Sequence, residues 1–130
     1  MSSYEKVDAG RAAVLEDVAL RVIEVLQGAG FSASSSRRPG AVVQVDLGDD
    51  SAGGVYVTWR AADAVEGRVI DCVMRGQTND PAIDELAELR LVMQKALFAV
   101  LSARGFVVAD SNNDLSANSV VVTGAPPLDP

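Results

Sequence analysis

Two segments of the chain end in the same way, and this repeat constrains the fold more than any other feature. LQGAGF begins at Leu26 and LSARGF begins at Leu101, 75 positions later, and each places Gly-Phe four and five residues after its Leu. Each follows an apolar stripe with helical spacing, and the same offset pairs Val22 with Leu97. Glycine ends a helix in the left-handed conformation without a Cβ penalty. The sequence therefore predicts helices over about 9 to 28 and 81 to 103, each followed by a strand.

The repeat has two interpretations. One is a duplicated helix-strand-strand unit, since a polar turn and a further strand follow each helix end, AVVQVDLG in one case and NSVVVTG in the other. The other is that two unrelated helices end alike because glycine stops a helix and phenylalanine anchors the next strand in the core. Both interpretations make Gly30 and Phe31 structural rather than ligand-binding.

Alternating apolar residues predict strands after Pro39. Val43 and Val45 alternate with polar neighbours, as do Val55, Val57 and Trp59 beyond the acidic turn GDDSAGG. The run RVIDCVMR, at 68–75, has the same period and predicts a third strand, with AADAVEG, at 61–67, as the turn before it. The sequence thus predicts an antiparallel meander, with further strands near 31–35, 106–109 and 119–123.

The second helix has a clear start. Asp80 has the side chain of an N-cap, and Pro81 suits the first helical position. These elements predict an α+β fold in which two helices pack on one face of an antiparallel sheet of about five strands. We expect one domain over 1–124 and a flexible C-terminal tail over 125–130.

Composition excludes several kinds of chemistry. The chain has no histidine and a single cysteine, Cys72, so it cannot hold a Ser-His-Asp triad, a zinc site of Cys and His ligands or an internal disulfide. We expect no metal, no cofactor and no enzymatic activity. A net charge of −7 disfavours nucleic acid as a partner. No apolar run is long enough for a membrane span and no secretory signal is evident, so we expect a cytoplasmic protein without a membrane partner.

A binding site for a small anion or other ligand is predicted at four residues, if the protein has one. Arg37 and Arg38 lie in the stretch GAGFSASSSRRPG, and Trp59 and Arg60 end a predicted strand. The glycines of this stretch follow a helix rather than precede one, so they do not form a phosphate loop. For the arginines the alternative is a solvated pair on an acidic surface, and for Trp59 it is core packing.

The second helix is apolar on more than one side. Leu91, Phe98 and Leu101 lie off its main stripe, and an apolar surface that the chain's own core does not cover marks an interface. The sequence therefore predicts a dimer or partner face at these three residues.

The order helix, sheet, helix, sheet in a small acidic chain resembles the type III secretion chaperone-like and YbjN-like domains. The resemblance covers most of the chain and rests on element order and acidity. The C-terminal helix common in the secretion chaperones has no counterpart. The resemblance implies a homodimeric, non-enzymatic adaptor that binds other polypeptides. The alternative is a small-ligand domain or a carboxylate-based enzyme with a pocket near Trp59 and Arg60.

Overall fold

The computed structural model describes residues 9–46, 54–110 and 119–126. It has the predicted α+β fold, with three helices and one five-stranded sheet. The predicted bounds of both long helices are confirmed. In chain order the elements are α1 (Ala9–Gly28), β1 (Ala33–Ser34), β2 (Gly40–Asp46), β3 (Gly54–Arg60), α2 (Asp63–Met74), α3 (Pro81–Ala103), β4 (Val107–Asp110) and β5 (Val120–Gly124).

The sheet is mixed rather than purely antiparallel. Its strand order is β1-β2-β3-β5-β4, and β1 pairs with β2 in parallel while the other neighbours are antiparallel. The chain returns between β1 and β2 in a tight loop that ends at Gly40, which has φ +115°. A Cβ on Gly40 would lie 2.4 Å from the carbonyl oxygen of Ser32. Only glycine allows this close approach, and the sequence pattern gave no sign of the parallel pairing.

The predicted third strand over 68–75, and with it the three-stranded meander, is wrong. Most of this segment and of the predicted turn over 61–67 lies in α2. Alternation groups Cys72 with Ile70 and Met74, but the residues of α2 that are not exposed, Glu66, Val69 and Cys72, are separated by three positions, as a helix requires. A short apolar run does not distinguish the period of a helix from that of a strand. The Glu66 carboxylate is paired in the structure, but in the sequence it gives no indication that this side of a helix is buried.

One face of the sheet carries the hydrophobic core. α1 and α3 pack on this face, which confirms that part of the prediction, and α2 packs against α3. The helices contribute Leu15, Val18, Ala19, Val22, Leu26, Leu97 and Leu101, while the strands contribute Ala33, Ala41, Val43, Val55, Val57, Val120 and Val122. Outside this core, Cys72 of α2 and Ala82 and Leu86 of α3 are also buried.

The two similar helix ends have the same structure. Gly30 has φ +102° and Gly105 has φ +90°. The N–H of Phe31 donates to the carbonyl of Leu26 at 2.9 Å, and the N–H of Phe106 donates to the carbonyl of Leu101 at 3.1 Å. This six-to-one bond, with glycine in the left-handed region, is a Schellman motif. The structural role predicted for Gly30 and Phe31 is therefore confirmed.

The first two residues of the predicted flexible C-terminal tail over 125–130 contact the rest of the domain. Ala125 packs against the core, and the Pro126 carbonyl accepts a hydrogen bond from the Arg21 guanidinium at 2.6 Å. Residues 127–130 lie outside the described residues. Within the described ranges, no helix combines the length and the apolar character that crossing a membrane would require.

Candidate functional site

The predicted arginine site lies at one end of the sheet. Arg37 and Arg38 are exposed in the loop before β2, and Arg60 pairs in register with Gly40, the first residue of β2. A guanidinium nitrogen of Arg60 lies 3.3 Å from Asp63, while its buried Nε has no hydrogen-bond partner among the described residues. The sheet register thus brings the three arginines to the same end of the fold.

Trp59 does not share a surface with Arg60. Its ring packs edge-on against Phe31, with ring centroids 6.1 Å apart and planes at 76°, and it contacts the core on the helix-covered face. Consecutive strand residues point to opposite faces, so Arg60 points to the other side of the sheet. The four residues predicted to bind a ligand are therefore divided between the two faces. This separation follows from the sequence, because Trp59 and Arg60 are consecutive residues of one predicted strand.

The predicted dimer face is also divided. Leu101 has no exposed surface, and Phe98 is half-buried against the chain's own core. Leu91 is 46% exposed. The structure therefore leaves only Leu91 of the three residues substantially accessible to a partner.

A larger apolar surface lies on the hairpin that α2 and α3 form. Seven of the ten large apolar side chains that are exposed among the described residues belong to these two helices: Val65, Ile70, Val73, Met74, Leu89, Leu91 and Val92. Ile70, Val73 and Met74 are separated by three and four positions, so they lie on one side of α2. We call these three residues the α2 patch. Sequence reasoning missed it because the segment was assigned to a strand, although the spacing of its apolar residues also fits a helix.

A buried ion pair fixes this hairpin to the sheet. The Glu66 carboxylate, only 6% exposed, accepts a hydrogen bond from Arg90 of α3. Its other oxygen accepts the N–H of Ala61, directly after β3, at 2.9 Å. One side chain thus connects α2 to α3 and to the end of β3. No sequence pattern indicated the contact, because its partners are far apart along the chain.

The turn between α2 and α3 carries a second polar contact. The Asp80 carboxylate accepts the N–H of Ala82 at 2.9 Å, which confirms the predicted N-cap. This bond is the main cause that lowers the pKa of Asp80. Burial, followed by the nearby Asp80 carboxylate, raises the pKa of Cys72. A raised pKa favours the thiol over the thiolate, which is the nucleophilic form.

An open groove lies beside α1 and β2. Its volume is about 1070 Å³, and its lining comes from α1, from both faces of β2 and from neighbouring residues of the sheet. Exposed Leu20 and half-buried Ile23 supply its apolar wall on α1, and Tyr56 and Thr58 contribute polar groups. None of the four residues predicted to bind a ligand lines this groove.

Across the described ranges, no group of three or more Cys, Asp or Glu side chains is arranged to hold a metal ion. Comparison of the chain with family models, curated proteins and solved structures found no match.

Proposed function

We propose that the protein is a non-enzymatic protein-binding module, an adaptor or chaperone-like domain, that acts as a homodimer. The observation that carries the proposal is the concentration of exposed apolar side chains on the α2–α3 hairpin. Met74 is 81% exposed, Ile70 60% and Val73 54%. Clustered apolar side chains of this kind usually mark an interface.

The charges around the α2 patch favour a second copy of the chain as its partner. Arg75 pairs with Asp71 at 3.2 Å, and Arg68 lies 3.5 Å from Asp80, so α2 carries both signs of charge. A two-fold interface brings the same surface of each copy together. A surface of mixed charge can pair with itself, because a carboxylate of one copy can face a guanidinium of the other.

The α2 patch replaces the interface expected from the sequence. Leu101 is fully buried, so a pairing centred on Leu91, Phe98 and Leu101 would require α3 to leave the sheet. Leu91 remains available beside the proposed interface. The alternative of a ligand pocket near Trp59 and Arg60 has less support, because these side chains point to opposite faces of the sheet.

The test compares two charge substitutions at exposed apolar residues. Met74→Asp lies in the α2 patch, and Val14→Asp, at a residue 53% exposed on α1, is the matched control. Sedimentation velocity should show a dimer for the wild type and for Val14→Asp. Met74→Asp should weaken dimerisation at least about tenfold, since a carboxylate at the centre of an apolar interface loses its solvation.

Circular dichroism would confirm that both variants fold. A wild-type protein that sediments as a monomer throughout the micromolar range would contradict the proposal. Equal effects of the two substitutions on dimerisation would contradict the assignment of the interface to α2.

A further inference from the structure

The sheet has a strand edge that is only partly covered. β1 pairs with β2 at Ala41 and Val42, and no strand among the described residues lies beside Val43 to Asp46 on that side. The N–H of Ala41 donates to the carbonyl of Ser32 at 2.8 Å, so the odd-numbered residues of β2 direct their backbone groups toward this edge. Beyond β1, these groups are the Val43 carbonyl and both the N–H and the carbonyl of Val45.

The open groove borders this same edge. Leu20, which is 60% exposed, and Ile23 form an apolar wall on the α1 side. On the other face of β2, the wall is polar and contains Gln44 and Tyr56. A strand added beside Val45 would therefore direct alternate side chains to an apolar wall and to a polar one.

The charges that line the groove favour a basic peptide over a second copy of the chain as its occupant. Glu16 and Asp46 line it, and the described residues that line it include no lysine or arginine. A second copy that paired through its own β2 edge would oppose these carboxylates with the same carboxylates. A peptide with basic side chains complements them, and the net charge of −7 attracts it over longer distances.

We propose that the β2 edge binds an extended basic peptide by strand addition, with apolar residues at alternate positions facing Leu20 and Ile23. The peptide backbone bonds to the outward groups of Val43 and Val45, and its basic residues point to the polar wall and lie near Asp46. This site is separate from the α2 patch and does not depend on dimerisation. It would give the proposed adaptor a second binding surface.

The test measures binding of two short fluorescent peptides to the full chain by fluorescence polarisation. In one peptide valine alternates with lysine, and in the other valine alternates with glutamate. The lysine peptide should bind at least about tenfold more tightly. Asp46→Lys should weaken its binding about tenfold, whereas Asp17→Lys, the same substitution at an exposed residue outside the groove, should weaken it much less.

A backbone substitution tests strand addition itself. Val45→Pro removes an outward N–H without removing a β2–β3 hydrogen bond, and Val45→Ala is the control that loses side-chain packing but keeps the N–H. Only the proline variant should lose peptide binding. Equal binding by both variants, equal effects of the two lysine substitutions, or no binding of the lysine peptide would each overturn the proposal. Loss of self-association in Val45→Pro alone, without peptide binding, would instead assign the edge to a second copy.

Discussion

Arg90 of α3 contacts the Glu66 carboxylate of α2 across the helical hairpin, and the same carboxylate accepts the N–H of Ala61. This arrangement joins the proposed interface to the sheet. Because Glu66 is buried, its charge depends on these two contacts for the stabilisation that water would otherwise provide. The orientation of the α2 patch therefore depends in part on a polar contact.

Truncation of this carboxylate should destabilise the domain. Glu66→Ala leaves Arg90 and the Ala61 N–H without their acceptor, and we expect a loss of roughly 2 kcal/mol in the free energy of unfolding, since Arg90 is partly solvated. Urea denaturation measures it. Glu88→Ala, at an exposed residue of α3, should change stability by less than about 0.5 kcal/mol. Similar values for the two variants would contradict the role assigned to Glu66.

Alanine substitutions at two glycines with positive φ distinguish the cost of backbone strain from the cost of steric overlap. Gly40→Ala adds a Cβ 2.4 Å from a backbone oxygen, whereas Gly30→Ala adds one with no atom within 4 Å. We expect a loss of about 1 kcal/mol for Gly30→Ala, from the left-handed backbone alone, and a loss at least about 2 kcal/mol larger for Gly40→Ala. Thermal unfolding compares them, and equal midpoints would contradict the close contact between Ser32 and Gly40.

Asp80 should make the stability depend on pH. Its pKa is lowered in the folded state, so its contribution is present above the unfolded pKa and is lost as the pH falls through the folded pKa. Asp80→Asn keeps an N-cap oxygen but cannot titrate. The stability advantage of the wild type over this variant should be greater at neutral pH than in strong acid. An advantage that is independent of pH in thermal unfolding would contradict the assignment.

The fluorescence of Trp59 reports on its contact with Phe31. Trp59 is the only tryptophan, and Phe31 packs edge-on against it. Phe31→Ala should shift the fluorescence emission to longer wavelength, since water reaches the indole, and should cost roughly 2 kcal/mol of stability. Phe106→Ala, at the equivalent helix end, should also destabilise the protein while it leaves the emission nearly unchanged. Equal spectral shifts would contradict the packing described for Trp59.

The sequence predicts well those parts of the fold that depend on local chemistry. α1 and α3 have long apolar stripes, and each ends at a glycine that requires positive φ, so their bounds follow from residues near in sequence. α2 was not predictable in this way. Its buried Glu66 finds Arg90 only after the chain has folded, and its apolar residues fit either period.

The candidate surfaces, too, were predictable only where they depend on residues near one another in the sequence. Exposure on α2 could not be inferred while its segment was assigned to a strand, and the burial of Leu101 depends on the sheet beneath α3. The grouping of Arg37 and Arg38 with Arg60 could be anticipated, because a hairpin between β2 and β3 places their ends together. The edge beside Val45, which no strand among the described residues covers, depends on the early end of β1, and the sequence pattern does not specify that end.

The molar mass in solution tests most directly whether the α2 patch pairs two copies of the chain. Multi-angle light scattering on the purified protein across the micromolar range should give twice the chain mass of 13.5 kDa, falling to the chain mass on dilution. Met74→Asp should give the chain mass at concentrations where the wild type is dimeric. A wild-type mass of one chain at every concentration, identical to that of Met74→Asp, would contradict the account.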